Sequence, residues 1–180
     1  MRPAARALIA GECPVLFWFV GTSIATIWLV FRDPRFDYRL LVVGSVAPPA
    51  VDVWFGGARV LHSLSFSVGL LTVVMIATVG RRPLRRTLLG LPLGTLLHLV
   101  YTGAWTDTST FWWPFSGGFD DARLPIAARG WWNVPLEVAG LTILAWVARA
   151  AGLADASRRR RAWRTGQLEF DAPRSPARRG

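Results

Sequence analysis

The run TLLGLPLGTLLHLVYTGAW, from Thr87 to Trp105, decides the fold class predicted for this chain of 180 residues. It contains no acidic or basic side chain other than His98. A bilayer core of about 30 Å needs about 20 residues at a rise of about 1.5 Å per residue, so apolar runs of this length are typical of transmembrane helices. The run therefore predicts a membrane span, and it raises the question of why a histidine lies inside it.

Four further apolar runs extend this prediction to the whole chain. Pro14 to Phe31 and Leu64 to Gly80 contain no acidic or basic residue, and Trp131 to Leu153 contains Glu137 near its start. Leu40 to Phe55 is shorter and is interrupted by two adjacent prolines. The sequence thus predicts an all-α polytopic integral membrane protein with four to five transmembrane helices. The segment at about 40–55 is expected to be broken or re-entrant, because prolines interrupt helical hydrogen bonding.

The positive charge, a net +10, is carried entirely by arginine. The clusters Arg81–Arg86 and Arg158–Arg164 flank apolar runs, and the positive-inside rule places both on the cytoplasmic side. We therefore expect a multi-pass protein of the cell membrane, with a transmembrane domain at 1–153 and a basic, disordered cytoplasmic tail at 154–180. The expected partners are the lipid bilayer and, at the arginine-rich loop and tail, anionic headgroups. Because the arginines form no single stripe, we expect no nucleic-acid partner.

Three polar residues of the apolar runs are candidates for a common site. On the predicted topology, Asp52, His62 and His98 all lie in the outer half of the membrane, where ionisable residues usually face a bundle interior. Two imidazoles and one carboxylate suit Zn²⁺ or a similar divalent ion, with a fourth position left open for water. Such an ion lowers the pKa of its bound water and makes it a nucleophile. The predicted metal ligands are therefore Asp52, His62 and His98.

Simpler roles for the two histidines are equally compatible with the sequence. His62 can be a polar residue at the end of a helix, followed by Ser63. His98 can form a hydrogen bond with Tyr101, with Thr95 or with a neighbouring helix. Neither role requires a metal ion.

The acidic residues have simple roles as well. Asp52 can be a solvated loop carboxylate or a partner of Arg59. Glu137 follows Pro135 in the first turn of its own helix, where a negative charge is favourable. The single cysteine, Cys13, excludes an intrachain disulfide and a cysteine-only metal site.

An ordered set of motifs extends from Gly44 to Gly117. It consists of GSVAPPAVD (Gly44–Asp52), ARVLHS (Ala58–Ser63), GTLLHLVYTG (Gly94–Gly103) and FWWPFSG (Phe111–Gly117). In this order the motifs resemble those of the bacterial membrane-bound metal-dependent hydrolases, a family of small inner-membrane proteins. The resemblance implies a metal-ligand role for the same three residues, Asp52, His62 and His98.

The activity implied by the resemblance is hydrolysis of a membrane-associated substrate by metal-activated water. The chain departs from the family pattern at two acidic positions: Pro49 or Ala50 occupies the first, and Thr102 occupies the second. Asp107 is a candidate substitute for the second. These departures keep a second function open, that of a non-enzymatic membrane scaffold or assembly protein without a metal ion. The sequence identifies neither a substrate nor a catalytic residue beyond the ligands.

Overall fold

The computed structural model describes residues 15–31, 33–55, 60–116 and 131–170, and for residues 52–55 it describes the backbone alone. Within these ranges the regular elements are helices, and no strand is present. The helices are α1 (Leu16–Phe31), α2 (Tyr38–Phe55), α3 (Leu64–Ala77), α4 (Arg82–Leu88), α5 (Gly90–Thr102), α6 (Thr108–Phe111), α7 (Asn133–Ala150) and α8 (Ala156–Thr165). Two 3₁₀ turns, Val60–His62 and Ala104–Thr106, precede α3 and α6.

The prediction of a polytopic membrane protein is contradicted by the lengths and compositions of these helices. Across the described ranges, none of them is both long enough and apolar enough to cross a bilayer. The apolar run 64–80 contains a helix of 14 residues, and the run 87–105 is divided between α4 and an α5 of 13 residues. At about 1.5 Å per residue, such helices extend about 20 Å, against the roughly 30 Å of a bilayer core. The same finding contradicts the predicted location as a multi-pass protein of the cell membrane with a cytoplasmic C-terminus.

The segment predicted to be broken or re-entrant is a continuous helix. Helix α2 extends over 18 residues with Pro48 and Pro49 inside it. A proline within a helix removes one backbone hydrogen bond and costs about 3 kcal/mol. Pro48 is fully buried, so packing of this part of α2 offsets that cost. The prediction was wrong here because proline propensity is a local property, whereas burial depends on the neighbouring helices.

Glycines allow two pairs of helices to pack with their backbones in contact. A Cβ added to Gly94 of α5 would lie 2.3 Å from the carbonyl oxygen of Leu41, on α2. A Cβ added to Gly140 of α7 would lie 2.3 Å from the carbonyl carbon of Phe17, on α1. Real Cβ atoms do not approach backbone this closely, so both glycines are required for the observed packing. These two contacts pack α5 against α2 and α7 against α1.

A core of apolar side chains joins α1, α2 and α7 to the turn between α1 and α2. Its buried members are Ile24, Ile27, Phe36, Tyr38, Leu41 and Val147. Leu168 and Phe170, which follow α8, pack against this core. The C-terminal segment up to residue 170 is therefore attached to the helical bundle.

The segment predicted to be a disordered tail contains α8. Asp155 caps the start of this helix, because its carboxylate accepts a hydrogen bond from the backbone N–H of Ser157 at 2.7 Å. Gly166 ends it with φ +72°, a conformation that favours glycine. The carbonyl of Gly166 then accepts a hydrogen bond from the N–H of Tyr38 at 2.8 Å. Residues 171–180 lie outside the described ranges, and the domain boundary at 153–154 stays a prediction.

Candidate functional site

The structure brings His62 and His98 together. Their Nε2 atoms are 3.3 Å apart, and the two rings meet edge to face at 80°, with centroids separated by 5.1 Å. Exposure is 1% for His62 and 0% for His98. Two of the three predicted ligands are thus neighbours inside the protein, although they are 36 residues apart in the sequence.

His98 is held in place by helix packing. It lies one turn after Gly94 on α5, and the contact of Gly94 with α2 brings α5 close to that helix. From α1, the ring of Phe19 packs against the His98 ring with centroids 4.3 Å apart. The imidazole therefore has an apolar ring on one side and His62 on another.

His62 is positioned by the turn that leads into α3. It ends the 3₁₀ turn Val60–His62, and Ser63 is the N-cap residue of α3. The Ser63 hydroxyl donates to the carbonyl of Val60 at 2.7 Å and accepts from the N–H of Phe66 at 3.1 Å. An N-cap hydroxyl satisfies a backbone donor that the helix leaves without a partner. The local sequence V-L-H-S thus sets both the end of the turn and the start of the helix.

The surroundings of His98 favour its neutral form. Burial lowers its pKa to about 3, and repulsion by His62 acts in the same direction. A weak interaction with the backbone of Ser45 opposes both effects, although among the described residues His98 Nδ1 has no partner with good hydrogen-bond geometry. Because a neutral imidazole carries one N–H, one Nε2 of the pair donates and the other accepts. The pair is therefore a hydrogen bond between α5 and the turn before α3.

The spacing of the two imidazole nitrogens fits a zinc ion, but their number does not. Two nitrogens bonded to tetrahedral zinc at about 2.0–2.1 Å lie about 3.4 Å apart, close to the observed separation. A catalytic zinc needs three protein ligands, however. Within the described ranges, no three or more His, Cys, Asp and Glu side chains are grouped so that they could hold a metal ion. The side chain of Asp52, the third predicted ligand, lies outside the described residues, as does Arg59, its alternative partner.

The prediction of a metal-binding group is therefore contradicted for the described part of the chain. The physical reason is that two imidazoles without a described carboxylate form an incomplete ligand set. Hydrolase activity has no support in that part of the chain and stays a prediction. Zn²⁺ as a cofactor stays a prediction, because the third ligand position is not described. The lipid bilayer and anionic headgroups likewise stay predicted partners, and so does the expectation of no nucleic-acid partner, since no described contact tests them.

Thr102 and Asp107, the two residues considered in connection with the missing carboxylate, have other roles. The hydroxyl of Thr102 donates to the carbonyl of His98 at 2.6 Å, within its own helix. Asp107 caps α6, where it accepts hydrogen bonds from the hydroxyl of Ser109 at 2.7 Å and from the N–H of Ser109 at 3.2 Å. The Ser109 hydrogen bond is the main cause that lowers the pKa of Asp107. Asp107 thus stabilises a local turn and does not replace the missing ligand in the structure.

The partner that the structure shows for His98 is His62, which lies in the turn before α3 and not on the helix of His98. The hydroxyl of Tyr101 forms a short hydrogen bond with that of Thr26, on α1. The hydroxyl of Thr95 donates to the carbonyl of Pro92 at 2.9 Å. Neither hydroxyl has a described hydrogen bond to His98.

Glu137 has a role that sequence reasoning missed. Its carboxylate accepts hydrogen bonds from the N–H groups of Leu16 and Phe17, both at 3.1 Å, and from that of Trp18 at 3.2 Å. It therefore caps α1, whereas the sequence suggested a role at the start of its own helix α7. One signal was present: α1 begins with large apolar residues and has no Ser, Thr, Asp or Asn immediately before it. The first N–H groups of a helix without a local cap need an acceptor from another part of the protein or from water.

Comparisons with family models, with curated proteins and with solved structures give no match for this chain. The functional interpretation therefore depends on the geometry described above.

Proposed function

We propose that the chain is a non-enzymatic scaffold or assembly protein, related to the metal-dependent hydrolases but using the histidine pair to stabilise its core. The observation that carries this proposal is the enclosure of His62 and His98, whose exposed fractions are 1% and 0%. Hydrolysis requires that water and a substrate reach the reacting centre. An imidazole pair that solvent does not touch is better suited to holding helices together.

The chemistry of the pair supports a structural role. A hydrogen bond between two side chains contributes about 1 kcal/mol, and leaving one buried partner unsatisfied costs about 1–3 kcal/mol. The pair links α5 to the turn before α3, and His98 also packs against Phe19 of α1. Loss of either histidine therefore loosens contacts among several elements at once.

The outer face of α3 supports an assembly role. Val68, Met75 and Ile76 recur at helical spacing, and all three are exposed. Residues separated by three, four, seven or eight positions share one face of a helix. Apolar side chains grouped on an exposed face are typical of surfaces that contact another molecule.

Metal analysis of the purified protein tests the proposal. The experiment compares wild type with His62→Gln and His98→Gln, measuring zinc by elemental analysis and stability by thermal unfolding. Thr78→Val is the control, because Thr78 is equally buried and its hydroxyl bonds to Val74, on its own helix. We expect no stoichiometric metal in any of the four proteins, and destabilisation in both histidine variants.

The double variant adds a second readout. Because the two rings are each other's partner, we expect the double variant to lose about as much stability as one single variant, and not the sum of both. One equivalent of zinc that is lost in each histidine variant and retained in Thr78→Val would overturn the proposal.

A further inference from the structure

A cavity of about 610 Å³ lies between the helical bundle and the C-terminal segment. Helices α1, α2 and α7 supply one wall, through residues that include Ile24, Val42 and Leu144. Helix α8 supplies the opposite wall through Ala162 and Trp163. Small-molecule sites are typically about 300–1,000 Å³, so the volume is that of a binding cavity.

The lining of the cavity is apolar apart from its edge. Side chains of Val, Leu, Ile and Ala form most of it, and the charged groups that contact it are Arg39 and Arg159. An apolar interior with a few polar groups at one edge is the usual composition of a small-molecule site. It matches a molecule that has a long apolar part and one polar end.

The position of α8 is defined by several contacts, so the cavity has fixed walls. The guanidinium of Arg39 donates to the carbonyls of Trp163 at 3.4 Å and Arg164 at 3.2 Å, and it is paired with Asp37 at 2.9 Å. Beyond α8, Phe170 stacks on Trp28 with ring centroids 4.2 Å apart. These contacts hold the C-terminal end of α8 against the bundle.

The edge of the cavity has an excess of positive charge. The described hydrogen bond of Arg159 goes to the carbonyl of Leu153 at 3.4 Å, which uses one of its five guanidinium donors. Arg160, Arg161 and Arg164 lie on the same helix, and the described ion pair there joins Arg161 to Glu169. The charge of Arg39, by contrast, is balanced by Asp37. The polar end of a ligand is therefore expected to be an anion at Arg159.

We propose that this cavity binds a single-chain amphipathic anion of the fatty-acid class, with its hydrocarbon chain between α7 and α8 and its carboxylate at Arg159. This goes beyond the scaffold proposal and does not depend on the histidine pair. No covalent step is involved.

Displacement of a fluorescent fatty acid tests this assignment. Dansyl-labelled undecanoic acid is bound to the full chain and displaced by octanoate, decanoate or dodecanoate. Burial of a methylene contributes about 0.8 kcal/mol, so affinity is expected to rise about fourfold for each methylene added. Undecyl maltoside has the same alkyl group as dodecanoate but no charge, and we expect it to compete at least about threefold more weakly.

Two pairs of matched variants locate the binding. Ala148 lines the cavity, whereas Ala145 on the same helix is exposed and does not line it. Ala148→Phe is expected to weaken dodecanoate binding more than about tenfold by filling the space, and Ala145→Phe to leave it unchanged. Arg159→Gln is expected to weaken binding about three- to tenfold, because it removes one partly exposed charge-assisted contact. Arg160→Gln, one residue further along α8, is expected to have less than a twofold effect.

Circular dichroism shows whether each variant keeps its helices. If Ala148→Phe does not fold, the arginine pair decides the question, since those substitutions lie at the edge of the cavity. Equal displacement by dodecanoate and undecyl maltoside, or equal affinity of Arg159→Gln and Arg160→Gln, would overturn the proposal, because binding would then reflect the exposed apolar surface. Zinc found at the histidine pair would leave it unaffected, so the two proposals fail separately.

Discussion

Acidification is expected to destabilise this protein through His98. In the folded protein the pKa of His98 is lowered from 6.5 to about 3, mainly by burial and then by His62. Below about pH 6.5 the unfolded chain therefore binds a proton that the folded chain does not. The free energy that neutral His98 contributes to folding is fully present above about pH 6.5 and is lost as the pH falls from about 6.5 towards about 3.

The size of the effect follows from the same two pKa values. Where only the unfolded state binds the proton, the free energy of unfolding falls by about 1.4 kcal/mol per pH unit. Between about pH 7.5 and about pH 5, the loss is about 2 kcal/mol. The lowered pKa values of Asp107 and Asp155 start from 3.8, so the stability they contribute is lost at lower pH, outside this window.

Urea unfolding followed by circular dichroism at the two pH values measures the loss, with a chelator present to remove adventitious metal. His98→Gln is expected to be less stable than wild type at about pH 7.5, and its pH-dependent loss should fall below about 1 kcal/mol because glutamine does not titrate. Thr78→Val, a buried substitution away from the pair, should keep the loss of about 2 kcal/mol. A wild-type change of less than about 0.5 kcal/mol would refute the reasoning, since His98 would then titrate alike in both states.

Three further predictions concern the contacts that hold the helices together. Glu137→Gln removes the charge that caps α1 and should lower the free energy of unfolding by about 1–2 kcal/mol in urea unfolding, whereas Glu169→Gln on the surface should change it by less than about 0.5 kcal/mol. Gly94→Ala should destabilise by at least about 1–3 kcal/mol, because the added methyl meets backbone, whereas Gly69→Ala on α3 meets no atom within 4 Å and should be neutral or stabilising in thermal unfolding. Arg39→Gln should release α8, detected as faster hydrogen exchange in α8 and unchanged exchange in α5.

The apolar runs predicted where helices form but not where they end. Helix α3 ends at Ala77, and a positive φ at Gly80 redirects the chain before α4 begins. The run from Thr87 to Trp105 changes helix at Leu89, which ends α4 and precedes α5. Apolar content alone does not locate such breaks, and this is why uninterrupted spans were predicted where shorter helices are present.

The candidate site was predicted in part. His62 and His98 were singled out because polar side chains inside apolar runs need a partner, and the structure shows that they are partners of each other. The cap on α1 was missed because Glu137 lies 121 residues after Leu16, a separation over which local pattern carries no information. The cavity beside α8 was missed because its wall comes from a segment that composition alone classed as disordered.

The cap on α1 has a consequence for the order in which this protein can be built during translation. Helix α1 is synthesised before α7, and the acceptor for three of its N-terminal N–H groups emerges about 120 residues later. Contacts between distant parts of a chain form late and slow folding. The first turn of α1 therefore lacks this cap on the ribosome until α7 has emerged, so the end of the bundle where α1 meets α7 closes only after that point.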